Sequence, residues 1–159
     1  MQFGKCKTNK MSLTVSTGAY TSGDCVGGII TAGKLDSPTN RGVLKNVCVV
    51  DKDNQKPALT ILLMRSLPTG TYTDNSAFAL ADADEAKVIG KVNIAAADYE
   101  TIGAKAVADV EVSKLIEAYS NNDKSDPANR DLHFLILTTT APDFTATTSL
   151  TIYANILSD

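Results

Sequence analysis

Short runs of alternating apolar and polar residues recur along this chain, and turn-forming residues separate them at intervals of roughly ten residues. Alternation with a period of two is typical of strands that bury one face. A parallel α/β fold would need a long amphipathic helix between strands, and the sequence shows no such pattern. We therefore predict an all-β protein of about eight strands: an antiparallel β-sandwich, jelly-roll-like, with one or two short helices.

The clearest strand patterns lie in the middle and at the end of the chain. Residues 43–51 alternate strongly, and residues 58–65 are apolar on both faces. An apolar run of this kind predicts a central strand covered on both sides, by a second sheet or by a neighbouring subunit. Residues 132–140 and 150–156 are predicted to form a terminal hairpin. Residues 13–17 also alternate and predict a half-buried strand near the start.

Helical signals are few. Asp82 can cap a short helix over residues 84–89 that ends at Gly90, and residues 113–119 are predicted to form a single helical turn. Neither segment is long enough to organise the fold.

The length of 159 residues suits a single domain. Residues 1–10 are polar and basic and show no periodicity, so we predict a flexible N-terminal arm there. Residues 11–159 are predicted to form one β-sandwich domain.

Charge and composition exclude several classes of function. The net charge is −3 and the lysines are scattered, which argues against a nucleic-acid partner. The longest apolar runs are too short to span a membrane, and the N-terminus lacks the apolar core of a signal peptide, so we expect synthesis in the host cytoplasm. Cys6, Cys25 and Cys48 are odd in number and widely spaced, which predicts reduced thiols, with Cys6 the most exposed.

Few residues could support catalysis. His133 is the one histidine in the sequence and is predicted to face solvent or lie at a sheet edge, and no nucleophile-elbow motif accompanies it. Residues 28–35 nearly match a phosphate-binding loop, but Leu35 stands where that motif needs Ser or Thr. We assign those glycines to a bulge or a close backbone approach. The sequence therefore predicts no catalytic residues, no cofactor and no enzyme activity.

The positions of the acidic residues are explained by local structure. Residues 51–54 and 82–84 lack the spaced ligand series of a calcium loop, so turn and capping roles are predicted and no metal site is expected. Asp109 and Glu111 alternate with apolar residues, which indicates a solvated strand face.

Several segments resemble a group of small virion proteins. They are residues 17–24 (Thr-Gly-Ala-Tyr-Thr-Ser-Gly-Asp), the turn at 50–55, residues 77–84 with 89–92, and the terminal hairpin. On these segments the chain resembles the capsid decoration, or cement, proteins of tailed bacteriophages. The resemblance implies a jelly-roll-like sandwich, located on the virion, that sits as a homo-dimer or homo-trimer on the outer surface of a shell of major capsid protein.

The N-terminal arm is the predicted contact with that shell. Phe3 is expected to act as an apolar anchor, and Lys5, Lys7 and Lys10 as charge contacts with an acidic surface. Three alternatives remain open. The chain could be a tail, baseplate or head-fibre subunit, or a carbohydrate-binding β-sandwich module, although the absence of tryptophan weakens the latter. A hydrolase that depends on His133 is the weakest hypothesis.

Overall fold

A computed structural model of the protein describes residues 4–35, 39–118 and 131–158. Within these ranges it contains eleven strands, one α-helical turn, α1 (Asp82–Glu85), and one 3-10 turn (Ala96–Asp98). The strands are β1 (Lys5–Ser12), β2 (Gly18–Ala19), β3 (Cys25–Lys34), β4 (Arg41–Asp51), β5 (Leu59–Met64), β6 (Val88–Ile94), β7 (Tyr99–Ile102), β8 (Lys105–Glu117), β9 (Asp131–Thr138), β10 (Asp143–Phe144) and β11 (Leu150–Ser158).

Two antiparallel sheets form a jelly-roll sandwich. The five-stranded sheet has the order β1-β11-β4-β8-β7, and the four-stranded sheet has the order β3-β9-β5-β6. When the short β2, β7 and β10 are set aside, eight long strands remain; the first pairs with the eighth, the second with the seventh, the third with the sixth and the fourth with the fifth. This nested pairing is the jelly-roll topology. The predicted fold class is therefore confirmed, and the structure adds the strand order.

The main core lies between the two sheets and follows from the alternation along each strand. Leu44, Val47 and Val49 of β4 are fully buried, and Phe134 and Ile136 of β9 belong to the same cluster from the opposite sheet. Packing the inner faces of two twisted sheets in this way removes most of the apolar side chains from water.

A loop covers the opposite face of the four-stranded sheet. Tyr72, in the loop of residues 65–81, packs with Met64 of β5 and Leu135 of β9 in a second buried cluster. Phe78 stacks on Tyr72, with ring centroids 5.5 Å apart and an interplanar angle of 26°. The prediction of a central strand covered on both faces is confirmed for β5, since the second sheet covers one face and this loop covers the other.

The first strand begins earlier than the sequence predicts. Residues from Lys5 onward form β1, which pairs with β11 over its full length, so the predicted flexible arm is wrong for this part of the chain. Leu13 and Val15 are buried, but they lie in irregular backbone after β1 and not on the predicted strand. β1 escapes sequence detection because it is an edge strand whose inward side begins with lysines and is buried only at Asn9 and Met11.

The last two long strands do not form the predicted hairpin. β9 lies in the four-stranded sheet and β11 lies in the five-stranded sheet. The chain crosses from one sheet to the other through β10, which pairs with β2 instead of extending either neighbour. A turn between two apolar strands therefore marks a crossover here, and periodicity alone does not distinguish the two cases.

Both predicted helical segments need correction. The first is one turn at Asp82–Glu85, with Ala81 at its N-cap and no side-chain capping bond, because an alanine side chain has no acceptor atom. The second is not helical up to Glu117, since β8 continues to that residue, and Tyr119 lies outside the described residues. Within the described ranges, no helix is long and apolar enough to cross a membrane.

Candidate functional site

The most distinctive surface is the side of the five-stranded sheet turned away from the core, which we call the outer face. Strand register aligns its side chains in rows across β1, β11, β4 and β8. The rows are Cys6–Leu157–Val43–Leu115, Thr8–Asn155–Asn46–Glu111, Lys10–Tyr153–Cys48–Asp109 and, on three strands, Thr151–Val50–Val107. Eight of these fifteen side chains are apolar, whereas the solvated side of an antiparallel sheet is normally polar.

A line of side-chain hydrogen bonds crosses the outer face. Thr8 Oγ1 donates to Asn155 Oδ1 (2.5 Å), Asn155 Nδ2 to Asn46 Oδ1 (2.7 Å), and Asn46 Nδ2 to Asp109 Oδ1 (2.6 Å). All three bonds run in the same direction and end on a carboxylate, which strengthens the last of them. The line fixes one side chain on each of four strands and leaves each amide with one further N–H to donate.

Two opposed irregularities shape a shallow depression in the outer face. β4 carries an extra residue at Lys45, and β8 carries Val112 and Ser113 outside the regular pairing. Ser113 has a φ of 50°, a left-handed conformation that non-glycine residues rarely adopt, and its Oγ accepts a hydrogen bond from Lys45 Nζ at 3.2 Å. The depression is lined by Lys45, Asn46, Asp109 and Glu111. Bulges and strained backbone concentrate near functional sites, so this feature marks the outer face for attention.

An apolar strip occupies one end of the outer face. Leu115 is 71% exposed and Leu157 is 37% exposed, and they share a row with exposed Cys6 and half-buried Val43. Large apolar side chains that are exposed side by side mark an interaction surface more often than isolated ones do.

The predicted contact residues lie at the free edge of this same sheet. Lys5, Lys7 and Lys10 are exposed on β1, and Phe3 lies outside the described residues. β1 pairs with β11 on one side, and no strand in the described part of the chain pairs with its other side. Backbone N–H and C=O groups along that edge can therefore pair with a partner chain.

The structure divides the three lysines between two faces. Lys5 and Lys7 share the inward side of β1 with buried Met11, yet both remain exposed. Lys10 points to the outer face, where it stands opposite Tyr153. Lys5 and Lys7 therefore share one side of the strand, and Lys10 lies on the other. Lysines at a sheet edge also discourage aggregation through that edge, so a protective role explains the same placement.

Asp74 fixes the loop of residues 65–81 against the start of the chain. Its carboxylate accepts hydrogen bonds from Ser16 N (2.6 Å), Tyr20 Oη (2.8 Å) and Gly27 N (2.5 Å). Burial and the adjacent Asp74 carboxylate raise the pKa of Tyr20 above its ordinary value, so this phenol remains a hydrogen-bond donor. One side chain therefore joins the loop of residues 65–81 to three residues near the start of the chain.

Asp84 of α1 is fully buried and also holds the loop of residues 65–81. Its donors are Thr69 N (2.8 Å), Gly70 N (2.8 Å), Tyr72 Oη (2.7 Å) and Lys87 Nζ (2.7 Å). Burial alone would raise the pKa of Asp84, but these hydrogen bonds outweigh it and hold the pKa well below its usual range. A carboxylate so fully engaged holds structure and is a poor general base.

The turn after β4 is held by its own aspartates, as predicted. Asp51 accepts hydrogen bonds from the backbone N–H groups of Asp53 (3.0 Å) and Lys56 (2.7 Å). Asp53 in turn accepts from Thr145 N (2.8 Å) and Ser149 Oγ (2.5 Å), which connects this turn to the start of β11. Burial opposes ionisation of Asp53, but these bonds lower its pKa overall. In the ranges described by the structure, no group of three or more His, Cys, Asp and Glu side chains could hold a metal ion.

His133 is 7% exposed, which corrects the prediction of a solvent-facing or edge histidine. β9 lies between β3 and β5, so the ring is enclosed by neighbours, and its Nδ1 is 3.2 Å from Thr31 Oγ1. Burial lowers the pKa of His133, with Asp131 opposing that shift. The ring is therefore a neutral packing and hydrogen-bonding group near neutral pH.

The glycines of the near-match to a phosphate loop serve the backbone, as predicted. Gly28 and Gly33 have φ values of 69° and 89°, and the register between β3 and β9 shifts around them. A side chain at Gly28 would come within 3.1 Å of the Tyr72 carbonyl oxygen. Gly28 therefore lets the covering loop lie close to β3.

The three cysteines are free and differ in exposure, as the sequence predicts for Cys6. Cys6 is exposed, Cys48 is half-buried on the outer face and Cys25 is buried under the loop. Burial raises the pKa of Cys25 and of Cys48.

Sequence reasoning missed the outer face as a candidate site. Alternation along β11 assigns Tyr153 and Asn155 to the polar side of that strand, and Asp109 to the solvated side of β8. What aligns them with Asn46 is the order of the strands, which the jelly-roll topology sets and a local pattern does not show.

Together these features define a jelly-roll β-sandwich whose surface chemistry lies on one sheet face and its free edge. No protein family model matches this chain, and no curated protein is significantly similar to it in sequence.

Proposed function

We propose that this protein is a capsid decoration protein, which binds the outer surface of a bacteriophage shell of major capsid protein and stabilises it. The resemblance of residues 17–24 and 77–84 to such proteins supports the proposal. The jelly-roll sandwich supports it as an analogy, because viral capsid domains and lectins use this architecture. A fold hosts many functions, so the proposal must depend on a specific surface.

The observation that carries the proposal is the edge of β1 that no strand of the described residues pairs with, with exposed Lys5 and Lys7 beside it. A strand of the shell protein can extend the five-stranded sheet there through main-chain hydrogen bonds. Each such bond contributes about 1 kcal/mol net, so several are needed for stable attachment. The two ammonium groups then favour an acidic shell surface over a basic one.

Hydrogen bonds also hold the loop of residues 65–81 in place in the attached domain. Asp74 and Asp84 each hold several segments by hydrogen bonds, so the loop on the four-stranded sheet is ordered before binding. Ordering a flexible segment during association would weaken binding, and a pre-organised protein avoids that loss.

Co-sedimentation with capsids that lack the protein tests the proposal. We expect saturable binding at a copy number that matches symmetry positions of the shell. The double variant Lys5→Glu with Lys7→Glu should bind at least about tenfold more weakly, because both charges then repel an acidic surface. The matched control, Lys91→Glu with Lys105→Glu, makes the same change in net charge at exposed positions away from the β1 edge and should bind normally.

The outcomes separate the rival functions. No binding by the unmodified protein overturns the decoration proposal and favours a tail, baseplate or head-fibre subunit. Binding to glycans on an array would favour the carbohydrate-binding module. Capsid binding that is unaffected by the Lys5 and Lys7 changes keeps the decoration role and overturns the edge of β1 as the contact. Deleting residues 2–10 is not a suitable test, because it removes most of β1.

A further inference from the structure

We infer that two copies of this chain associate through their outer faces, related by a two-fold axis that runs parallel to the strands between β11 and β4. The first support is composition. An apolar strip that includes Leu115, 71% exposed, and Leu157, 37% exposed, lies on a sheet face that is already half apolar. Covering such a face with a second sheet is the arrangement that the inner faces of this sandwich already use.

The second support is charge complementarity within one row. Lys10 stands at the β1 end of its row and Asp109 at the β8 end, with Tyr153 and Cys48 between them. Rotation about the proposed axis places β1 of one copy over β8 of the other at the same level along the strands. Each Lys10 then faces the Asp109 of the other copy, and two opposite-charge contacts form at once.

The same rotation matches the other rows. The apolar strip lies on itself, with Cys6 facing Leu115 and Leu157 facing Val43 of the second copy. Asn155 faces Asn46, and each amide still has an N–H available for a bond between copies. A two-fold axis perpendicular to the strands would instead place Lys10 over its own strand and away from Asp109. The charges therefore favour the parallel axis.

The area of the outer face that the two copies would bury is consistent with a weak dimer. Four strands about 4.8 Å apart and about eight residues long cover roughly 500 Å² of each copy. The total of about 1,000 Å² lies below the standard size of stable interfaces and in the range of weak or transient ones. The twist between packed sheets, about 30°, shifts the outermost contacts by less than the reach of a lysine side chain.

Sedimentation of the isolated protein over a concentration series tests the inference without any capsid, so its result does not depend on the proposed function. We expect a monomer–dimer equilibrium. Lys10→Glu and Asp109→Lys should each weaken the dimer at least about tenfold, because each loses both charge contacts and creates repulsion. An equimolar mixture of the two single variants should recover dimer, since in the mixed pair both contacts join opposite charges again.

Matched controls keep the result specific. Lys91→Glu and Glu85→Lys make the same charge changes at exposed positions off the outer face, and should leave the equilibrium unchanged. Leu115→Glu should weaken the dimer through the apolar strip, and circular dichroism should show that each variant folds. A protein that stays monomeric up to about 1 mM overturns the inference and leaves the face to another partner, such as the shell protein. A dimer that is indifferent to the Lys10 and Asp109 changes also overturns it, as does a mixture that fails to recover.

Discussion

Asp84 and Lys87 form an ion pair of 2.7 Å in which the carboxylate is completely buried and the lysine side chain is 20% exposed. The pair lies three residues apart in sequence, yet its carboxylate also holds backbone groups of Thr69 and Gly70. The spacing of three residues in one helical turn brings the two charges together. The hydrogen bonds from Thr69 and Gly70 then connect this ion pair to the loop that packs on the four-stranded sheet.

Replacing this carboxylate should destabilise the protein. Asp84→Ala leaves two backbone donors and a tyrosine hydroxyl without their partner, so we expect a loss of about 3 kcal/mol in the free energy of unfolding. Urea denaturation followed by circular dichroism measures it. Asp82→Ala, an exposed position in the same helical turn, is the control and should change stability by less than about 0.5 kcal/mol. Equal losses in the two variants would show that the buried carboxylate has no special role.

Stability should fall on acidification in two stages. The pKa of His133 is lower in the folded protein than in the unfolded chain, so below about pH 6.5 the unfolded chain takes up a proton that the folded protein does not. Stability then falls by at most about 1.4 kcal/mol per pH unit until the folded pKa is reached. His133→Gln should flatten this stage.

The second stage concerns Asp84. The depressed pKa of Asp84 adds stability above about pH 4 that is lost at lower pH. A pH-independent difference between His133→Gln and the unmodified protein would contradict the first stage.

The three thiols should react at well-separated rates. Cys6 is exposed, whereas burial raises the pKa of Cys48 and Cys25 and limits access to both. Alkylation followed by peptide mass spectrometry should modify Cys6 first, Cys48 next and Cys25 only after the covering loop opens. Tyr72→Ala should accelerate modification of Cys25 selectively, because Tyr72 packs against it. An unchanged rate at Cys25 would mean that the loop does not protect this thiol.

The Tyr20 hydroxyl should contribute measurably to stability. It donates to Asp74 at 2.8 Å, and a hydrogen bond to a charged acceptor contributes about 1.5–3 kcal/mol. Tyr20→Phe should lower the free energy of unfolding by about that amount, while Tyr153→Phe on the outer face should have little effect. If Tyr20→Phe is neutral in thermal and urea unfolding, the backbone donors of Ser16 and Gly27 suffice to hold Asp74.

Most of the long strands could be predicted because their apolar side chains lie at the positions that the sandwich buries. β4, β5, β8 and β11 alternate or are apolar where the sandwich covers them, and a period of two reports this directly. β1 could not be found this way, since Lys5 and Lys7 lie on its inward side and yet remain exposed. The sequence predicts a helical turn from Ser113 because the bulge there interrupts the alternation, although the strand continues through it.

The outer face could not be predicted from the sequence, and the reason is different. Side-chain alternation tells which residues share a face of one strand, but not which strands are neighbours. Thr8 and Asn155 lie far apart in sequence and are joined only because the jelly roll places β1 beside β11. The prediction that His133 is exposed is wrong for the same reason, since its burial depends on which strands lie beside β9.

The position of the late strands determines the order in which this molecule can assemble. β11 lies between β1 and β4, and β9 lies between β3 and β5, so in both sheets a strand made late in synthesis fills an interior gap between strands made earlier. A nascent chain on the ribosome that lacks residues 131–158 can join neither β1 to its sheet nor β3 to β5. It would instead present several unfilled strand edges, which are prone to mispairing. Folding of the two sheets must therefore wait for those residues, because β9 and β11 each join strands made earlier.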